Sequence, residues 1–236
     1  MKALVIGWLA LLAALPVAAA DADLSPFVAD YDVKYGPFSV GTSRTALSRE
    51  GDGWVMETST NASGFYRLFA GGTIRQHSEF ELLEDGPRPA SYRFDDGTRD
   101  TDHDVSLQFD WTANRVRGVA EDRPVDIEAV ANLQDSASLQ AFVAARLLAG
   151  REPGTVAMIE KDKVKYYRYT FLRRETLKTA IGDVETVVYR SARDGSDRET
   201  ITWHAPGLGF AAVQAEQLIA GKRGFQTYIR RFQPGS

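Results

Sequence analysis

The chain has 236 residues, 44% hydrophobic and 25% charged, enough for a core that needs no disulfide or metal staple. Lys plus Arg number 28 against 32 Asp plus Glu, and a net charge of −4 excludes the basic face that nucleic-acid binding requires. Cysteine is absent, which excludes disulfides, thiolate catalysis, cysteine-ligated zinc, iron–sulfur clusters and a lipid on an N-terminal cysteine.

Residues 1–20 read as a cleaved secretory signal. Lys2 is the only charge, Ala3–Leu15 is an apolar run, Pro16 breaks it, and Val17-Ala18-Ala19-Ala20 offers small residues to a peptidase. The run is too short for a membrane anchor, and no later segment is apolar enough to span. The mature protein is expected to start at Asp21, to be periplasmic, and to form a single β-rich domain over 21–236.

From there the dominant period is two. Phe27, Ala29, Tyr31, Val33 and Tyr35 share one face of an extended run, with Asp30, Asp32 and Lys34 on the other. Gly36-Pro37 turns the chain into a second strand, Phe38–Arg49. Gly51-Asp52-Gly53 leads to a third, Trp54–Ala62, rich in Thr and Ser. A helical turn is expected at Phe65–Ala70, then strands at Thr73–Leu83 and Pro89–Phe94. The polar stretch Asp95–Asp104 reads as a hairpin loop. Val105, Leu107, Phe109 and Trp111 alternate with Ser106, Gln108 and Asp110, and Thr112-Ala113-Asn114 returns the chain through Arg115–Ala120. Further strands are expected at Val164–Leu172, Val184–Tyr189, Arg198–His204, Phe210–Leu218 and Phe225–Phe232. A dozen short strands without βα alternation predict an antiparallel sheet.

One segment has a helical period. Gln134–Ala149 places Leu139, Phe142, Val143 and Leu147 on one apolar face, with Asp135 or Ser136 to cap its start and Gly150 to end it. The fold expected is therefore mainly β: a curved antiparallel sheet or half-barrel with one packed amphipathic helix.

Catalytic and metal motifs are weak. His77, His103 and His204 lack metal-ligand spacing, and no serine elbow or phosphate loop is present. Asp100, Asp102 and Asp104 suggest three carboxylates for calcium, but the loop glycine and the terminal glutamate are missing. Glu79 and Glu81 share a strand face and read as solvent-side charges. Lys163–Arg174 interleaves bases with Tyr167, Tyr169 and Phe171, and reads as a two-faced strand with those three aromatics packed. The sequence predicts no metal, no cofactor and no catalytic residue, and leaves an enzymatic activity undecided.

The order of several segments is familiar. Phe27-Val28-Ala29-Asp30-Tyr31-Asp32-Val33 is followed by Val40-Gly41, then by Gly64-Phe65-Tyr66-Arg67-Leu68-Phe69 and Arg88-Pro89-Ala90-Ser91-Tyr92-Arg93-Phe94. Phe109-Asp110-Trp111, Gln134-Asp135 before Ser138-Leu139-Gln140, Tyr167-Arg168-Tyr169 and Thr202-Trp203-His204-Ala205-Pro206-Gly207-Leu208-Gly209-Phe210 complete the set. Together they resemble the bacterial exported family called domain of unknown function 3108, over nearly all of residues 25–232, with Ser136 standing where that pattern has a basic residue. The resemblance implies a β-rich envelope protein with no established activity, so no site residue carries over.

The element order is analogous to the half-barrel of lipoprotein carriers, in which a helix closes a concave sheet. On that analogy the protein is expected to hold an apolar or lipid-like ligand, or else to serve as a structural or partner-binding envelope protein; a glycan-active enzyme is the remaining alternative. Tyr31, Phe109, Trp111, Leu139, Phe142, Tyr169 and Trp203 are the candidates to line the pocket.

Overall fold

A computed structural model describes residues 24–63 and 72–235; the signal segment and the turn expected at Phe65–Ala70 lie outside them. In chain order the strands are β1 (Phe27–Tyr35), β2 (Phe38–Glu50), β3 (Gly53–Ala62), β4 (Thr73–Leu83), β5 (Gly86–Asp95), β6 (Val105–Asp110), β7 (Arg115–Ala120) and β8 (Arg123–Glu128). The helix α1 (Ser138–Leu148) follows. Then come β9 (Thr155–Glu160), β10 (Lys163–Thr179), β11 (Gly182–Ala192), β12 (Arg198–Ala205), β13 (Ala211–Ile219) and β14 (Lys222–Pro234).

All fourteen strands form one antiparallel sheet in the order β8-β7-β6-β5-β4-β3-β2-β1-β14-β13-β12-β11-β10-β9. The first and last strands meet in its middle, where Phe27 of β1 pairs with Pro234 of β14. The sheet does not close, because β8 and β9 are its edges and do not pair. It curls nonetheless: Val125 of β8 and Ile159 of β9 belong to one core with Met56, Phe80, Leu107 and Val116. A sheet of this many twisted strands cannot stay flat, and curling lets one face bury itself.

The segment between the edges covers β9 and fills the curl. Gln134 accepts the Ile159 N–H (2.8 Å) and donates its own N–H to Ala157 O (2.9 Å), so the inner part of β9 is paired rather than left as a bare edge. The helix is shorter than the expected Gln134–Ala149, since Gln134 is taken by this bridge. Asp135 is the residue that caps it. Its Oδ1 accepts the N–H groups of Ala137 and Ser138 (both 2.8 Å), and Ser138 Oγ accepts the Asp135 N–H (3.0 Å), a reciprocal box. At the other end Gly150 is left-handed (φ +67°). Its N–H goes to Leu147 O and that of Arg151 to Arg146 O, which satisfies two orphan carbonyls.

α1 is buried on more than one side. Ala141 and Ala144 join the core of β3–β9, while Val143 and Leu147 pack on Val187 and Tyr189 of β11. Small alanines let the helix lie close to both halves of the sheet.

Two strands were not legible in the sequence, and both are six-residue edge strands. In β8, Pro124 and only two inward apolar residues hide the alternation, and in β9 the apolar run Val156–Ile159 has no period. β10 is longer than expected. β9 pairs only with Lys163–Arg168 and β12 only with Val187–Ala192, so the turn end of the β10–β11 ribbon, residues 175–186, runs free of both neighbours. Leu177, Ile181 and Val184 at its tip pack on a second core with Val188, Trp203 and Val213. Phe171, expected to be packed, is 40% exposed and rests edge-on against Tyr189.

Candidate functional site

A cavity of about 340 Å³ lies between α1 and the middle of the sheet, a volume within the range of small-molecule sites. β1 and β2 supply Phe27, Tyr31 and Leu47; β3 supplies Met56; α1 supplies Leu139 and Val143; Phe210 follows β12. Across β2 and β3 runs a row of hydroxyls. Ser43 bonds Thr60 (2.9 Å) and Thr45 bonds Thr58 (3.2 Å), so one hydroxyl of each pair donates to the other. Thr202 and Thr227 add hydroxyls from β12 and β14. Among the described residues no Asp, Glu, Lys or Arg lines this wall.

His204 lines the cavity wall and is buried. Its Nδ1 faces Phe210 O at 3.1 Å, and a carbonyl only accepts, so the ring proton sits on Nδ1. The ring stacks edge-on against Tyr189. Nε2 is buried with no partner among the described residues. Burial pushes the pKa down to about 4, because the imidazolium would have no compensating charge. Tyr31 is buried beside it and donates to Ala212 O (2.8 Å); burial pushes the Tyr31 and Tyr169 phenols up.

A second recess of about 600 Å³ shares Leu139, Tyr169 and Thr202 with the cavity. It carries both signs of charge, from Glu160, Arg193, Asp197, Arg198 and Glu199. An uncharged chamber thus lies behind a charged one.

Of the seven pocket candidates, Tyr31, Leu139 and Tyr169 line the cavity together. Phe109 and Trp111 stack on each other (6.0 Å) away from it, with Phe109 in the core and Trp111 Nε1 donating to Pro89 O. Phe142 is buried against Gly86 of β5. Trp203 lies between Thr202 and His204 on β12, so it points to the opposite face, where Nε1 donates to Glu175 (2.5 Å) under Arg173. The hydroxyl row and His204 are not among those seven candidates. Their signal was the inward parity of Ser43, Thr45, Thr58 and Thr60, which a Thr-rich strand shares with an ordinary wet face.

The acidic loop also differs from expectation. Among the described residues the carboxylates that converge are Asp95, Asp96 and Asp104, not Asp100, Asp102 and Asp104. Their oxygens are engaged in turns: Asp95 accepts the Gly97 N–H, Asp96 the Thr98 N–H and hydroxyl, and Asp104 the Asp96 N–H. Glu79 is held by Ser91 and His77, and Glu81 by Arg88. His103 sits 3.9 Å from Glu121 on the surface.

The His204 ring makes a pH prediction. Its folded pKa lies below the ordinary 6.5, so the unfolded chain takes up a proton first as pH falls. This destabilises the fold progressively from about pH 6.5 to pH 4, by at most about 3 kcal/mol. Buried Asp135 works in the opposite direction, because burial raises its pKa. Urea unfolding at pH 7 and pH 4.5 of the wild type and His204→Gln separates the two. The wild type should lose more stability than the variant on acidification; equal losses would refute the assignment.

This arrangement defines a β-barrel-like protein: an open, curled antiparallel sheet around one helix, with a lined chamber at the sheet's centre. The profile of the family described as "Protein of unknown function (DUF3108)" matches residues 30–215, and the chain belongs to that family. Among solved structures, a β-barrel-like protein of domain of unknown function DUF1849 from Brucella abortus is similar. Its TM-score is 0.58 at 11% identity, covering 90% of this chain and 99% of that one. A Bacteroides fragilis protein with a YmcC-like fold reaches a TM-score of 0.39 at 9% identity, over 89% of this chain and 97% of that one. The Pseudomonas aeruginosa MucA/MucB complex gives 0.39 at 9%, over 92% of this chain and 54% of the matched chain. No curated protein matches. Among the described residues no helix is long and apolar enough to cross a membrane.

Proposed function

We propose that this is an exported, periplasmic envelope protein that holds an apolar or lipid-like ligand in the cavity between α1 and the sheet. The observation that carries the reading is a chamber of about 340 Å³ between α1 and the sheet, with no charged side chain among the described residues of its wall. Interiors are close-packed, and voids larger than a water are few. The shared wall with the charged recess provides an amphiphile with a route from water to an apolar interior. Export is supported by the charged, apolar and small-residue order of residues 1–20.

The test is titration of the delipidated protein with the uncharged fluorescent dye phenylnaphthylamine, alongside native mass spectrometry of protein from a membrane-rich lysate. Ala215→Phe, which fills the chamber from β13, should weaken dye binding about tenfold, equivalent to roughly 1.4 kcal/mol, while the protein stays folded. A wild type that binds no dye and retains no lipid would overturn the reading. So would undiminished binding by a folded Ala215→Phe.

One observation favours a second reading, docking of an envelope protein. Tyr35, Phe38 and Phe225 are about half exposed or more (46%, 61% and 53%) and adjoin at one end of β1, β2 and β14. Singly exposed aromatics are ordinary, but three in contact are not.

A further inference from the structure

We infer that the cavity takes an uncharged amphiphile whose hydroxyl group donates a hydrogen bond to His204 Nε2. This rests on the ligand-binding reading above and adds the chemical class of the ligand.

Three observations converge on it. The first is the orphan acceptor. His204 is 6% exposed and on the cavity wall, and Nδ1 is committed to Phe210 O. Nε2 therefore presents a lone pair with no donor among the described residues. Buried polar atoms are almost always paired, and this one, buried at the chamber wall, gains a partner from an occupant's donor once a side chain of the wall moves aside. The ring stays a neutral acceptor because burial disfavours its charged form.

The second is the absence of ionic groups among the described residues of the wall. A carboxylate, phosphate or ammonium brought into the chamber would lose its hydration and meet no counter-charge. The third is that the hydroxyls nearest the centre of the sheet are largely engaged with one another or with the backbone. Ser43–Thr60 and Thr45–Thr58 are hydroxyl pairs joined by one bond each, and the Tyr31 hydroxyl already donates to Ala212 O. They tolerate an aliphatic chain without requiring a second head group. An alcohol or glyceride hydroxyl on an aliphatic chain has the needed donor, the needed neutrality and the apolar body. A fatty acid anion lacks the first two, and an ether lacks the donor.

The test uses isomers. Decanol and methyl nonyl ether have the same atoms, but only decanol donates. Each competes with phenylnaphthylamine for the delipidated protein, with decanoate as the charged control. In the wild type decanol should bind more tightly than the ether, although the ether is the more hydrophobic, and decanoate should bind most weakly. His204→Phe should shift the decanol-to-ether affinity ratio about tenfold toward the ether, as expected when one buried hydrogen bond is lost. His204→Gln, which restores an acceptor, should recover part of the ratio.

If the decanol-to-ether affinity ratio is the same in wild type and His204→Phe, the hydroxyl inference fails while the binding reading stands; a bound water on Nε2 would give this result. Decanoate binding as tightly as decanol overturns the uncharged class. Failure of every compound to compete, with no dye bound, overturns the binding reading itself. Should His204→Phe not fold, the order of decanol and ether in the wild type decides alone.

Discussion

Asp135→Ala is expected to destabilise the protein by about 3–5 kcal/mol, as for other buried charged groups whose partners are left behind. The carboxylate is fully buried and serves three donors at once: Ser78 Oγ from β4 (2.6 Å) and the N–H groups of Ala137 and Ser138 at the start of α1. Each donor left unpaired in a dry interior costs about 1–3 kcal/mol, and loss of the cap adds to that. Burial pushes the Asp135 pKa up, against the pull of Ser78, Ser138 and Ala137. Asp135→Asn keeps one oxygen for the two N–H groups, and the Ser78 hydroxyl can turn to accept from the new amide, so it should cost clearly less than Asp135→Ala. Urea unfolding of the three proteins measures this. A loss below about 1 kcal/mol for Asp135→Ala would mean that water reaches the helix start.

The same residue links the fold to the cavity. Gln134 joins the segment to β9, Asp135 ties it to β4, and from Ser138 onward α1 carries Leu139 and Val143 into the cavity wall. The position of the wall therefore depends on two buried polar residues that precede the helix, Gln134 and Asp135. Gln134 Nε2 donates to Pro87 O (2.9 Å), which fixes the segment to β5 as well.

Much of this architecture could be read from the residues. Strands such as β1 and β6 alternate cleanly because one face is buried and the other wet, and Gly or Asp-Gly punctuation marks the hairpins between them. The helix was visible from Leu139, Phe142, Val143 and Leu147, and Asp135 was one of two capping choices. β8 and β9 escaped because short edge strands carry little period. The site was harder. Alternation says that Tyr31 points inward, but not whether the inward space there is filled. Phe109 and Trp111 have clear strand periodicity, yet they belong to the half of the curl that the core fills. Trp203 falls one residue from His204, and parity sends it to the far face. Ser43, Thr45, Thr58 and Thr60 look like solvent-facing residues in any local window. Only the sheet's curl, which brings β2 and β3 under α1, turns them into a cavity wall.

The helix also decides the last expected result. Phe142→Ala should cost about 3–5 kcal/mol and leave dye and decanol binding unchanged. Phe142 is 4% exposed, and its ring edge lies where a side chain on Gly86 would begin: a Cβ built there would meet Cδ2 at 3.1 Å and Cε2 at 3.3 Å. Gly86 has a φ of +121°, a conformation that side-chain-bearing residues rarely adopt, so β5 supplies no atoms to fill the gap. The surrounding strands are tied to their neighbours and collapse only in part, which puts the cost in the cavity-forming range. Phe142→Leu, which keeps most of the volume, should cost less than about 1.5 kcal/mol. Binding should be indifferent, because the residues that α1 gives to the chamber are Leu139, Val143 and their neighbours, not Phe142. Val143→Ala should do the reverse in part, enlarging the chamber and changing which chain length competes best with the dye. Chemical denaturation and dye titration on the same preparations read both effects. A stability loss for Phe142→Ala under about 1 kcal/mol, accompanied by weakened dye binding, would place Phe142 on the chamber wall and require α1 to sit rotated from its position here.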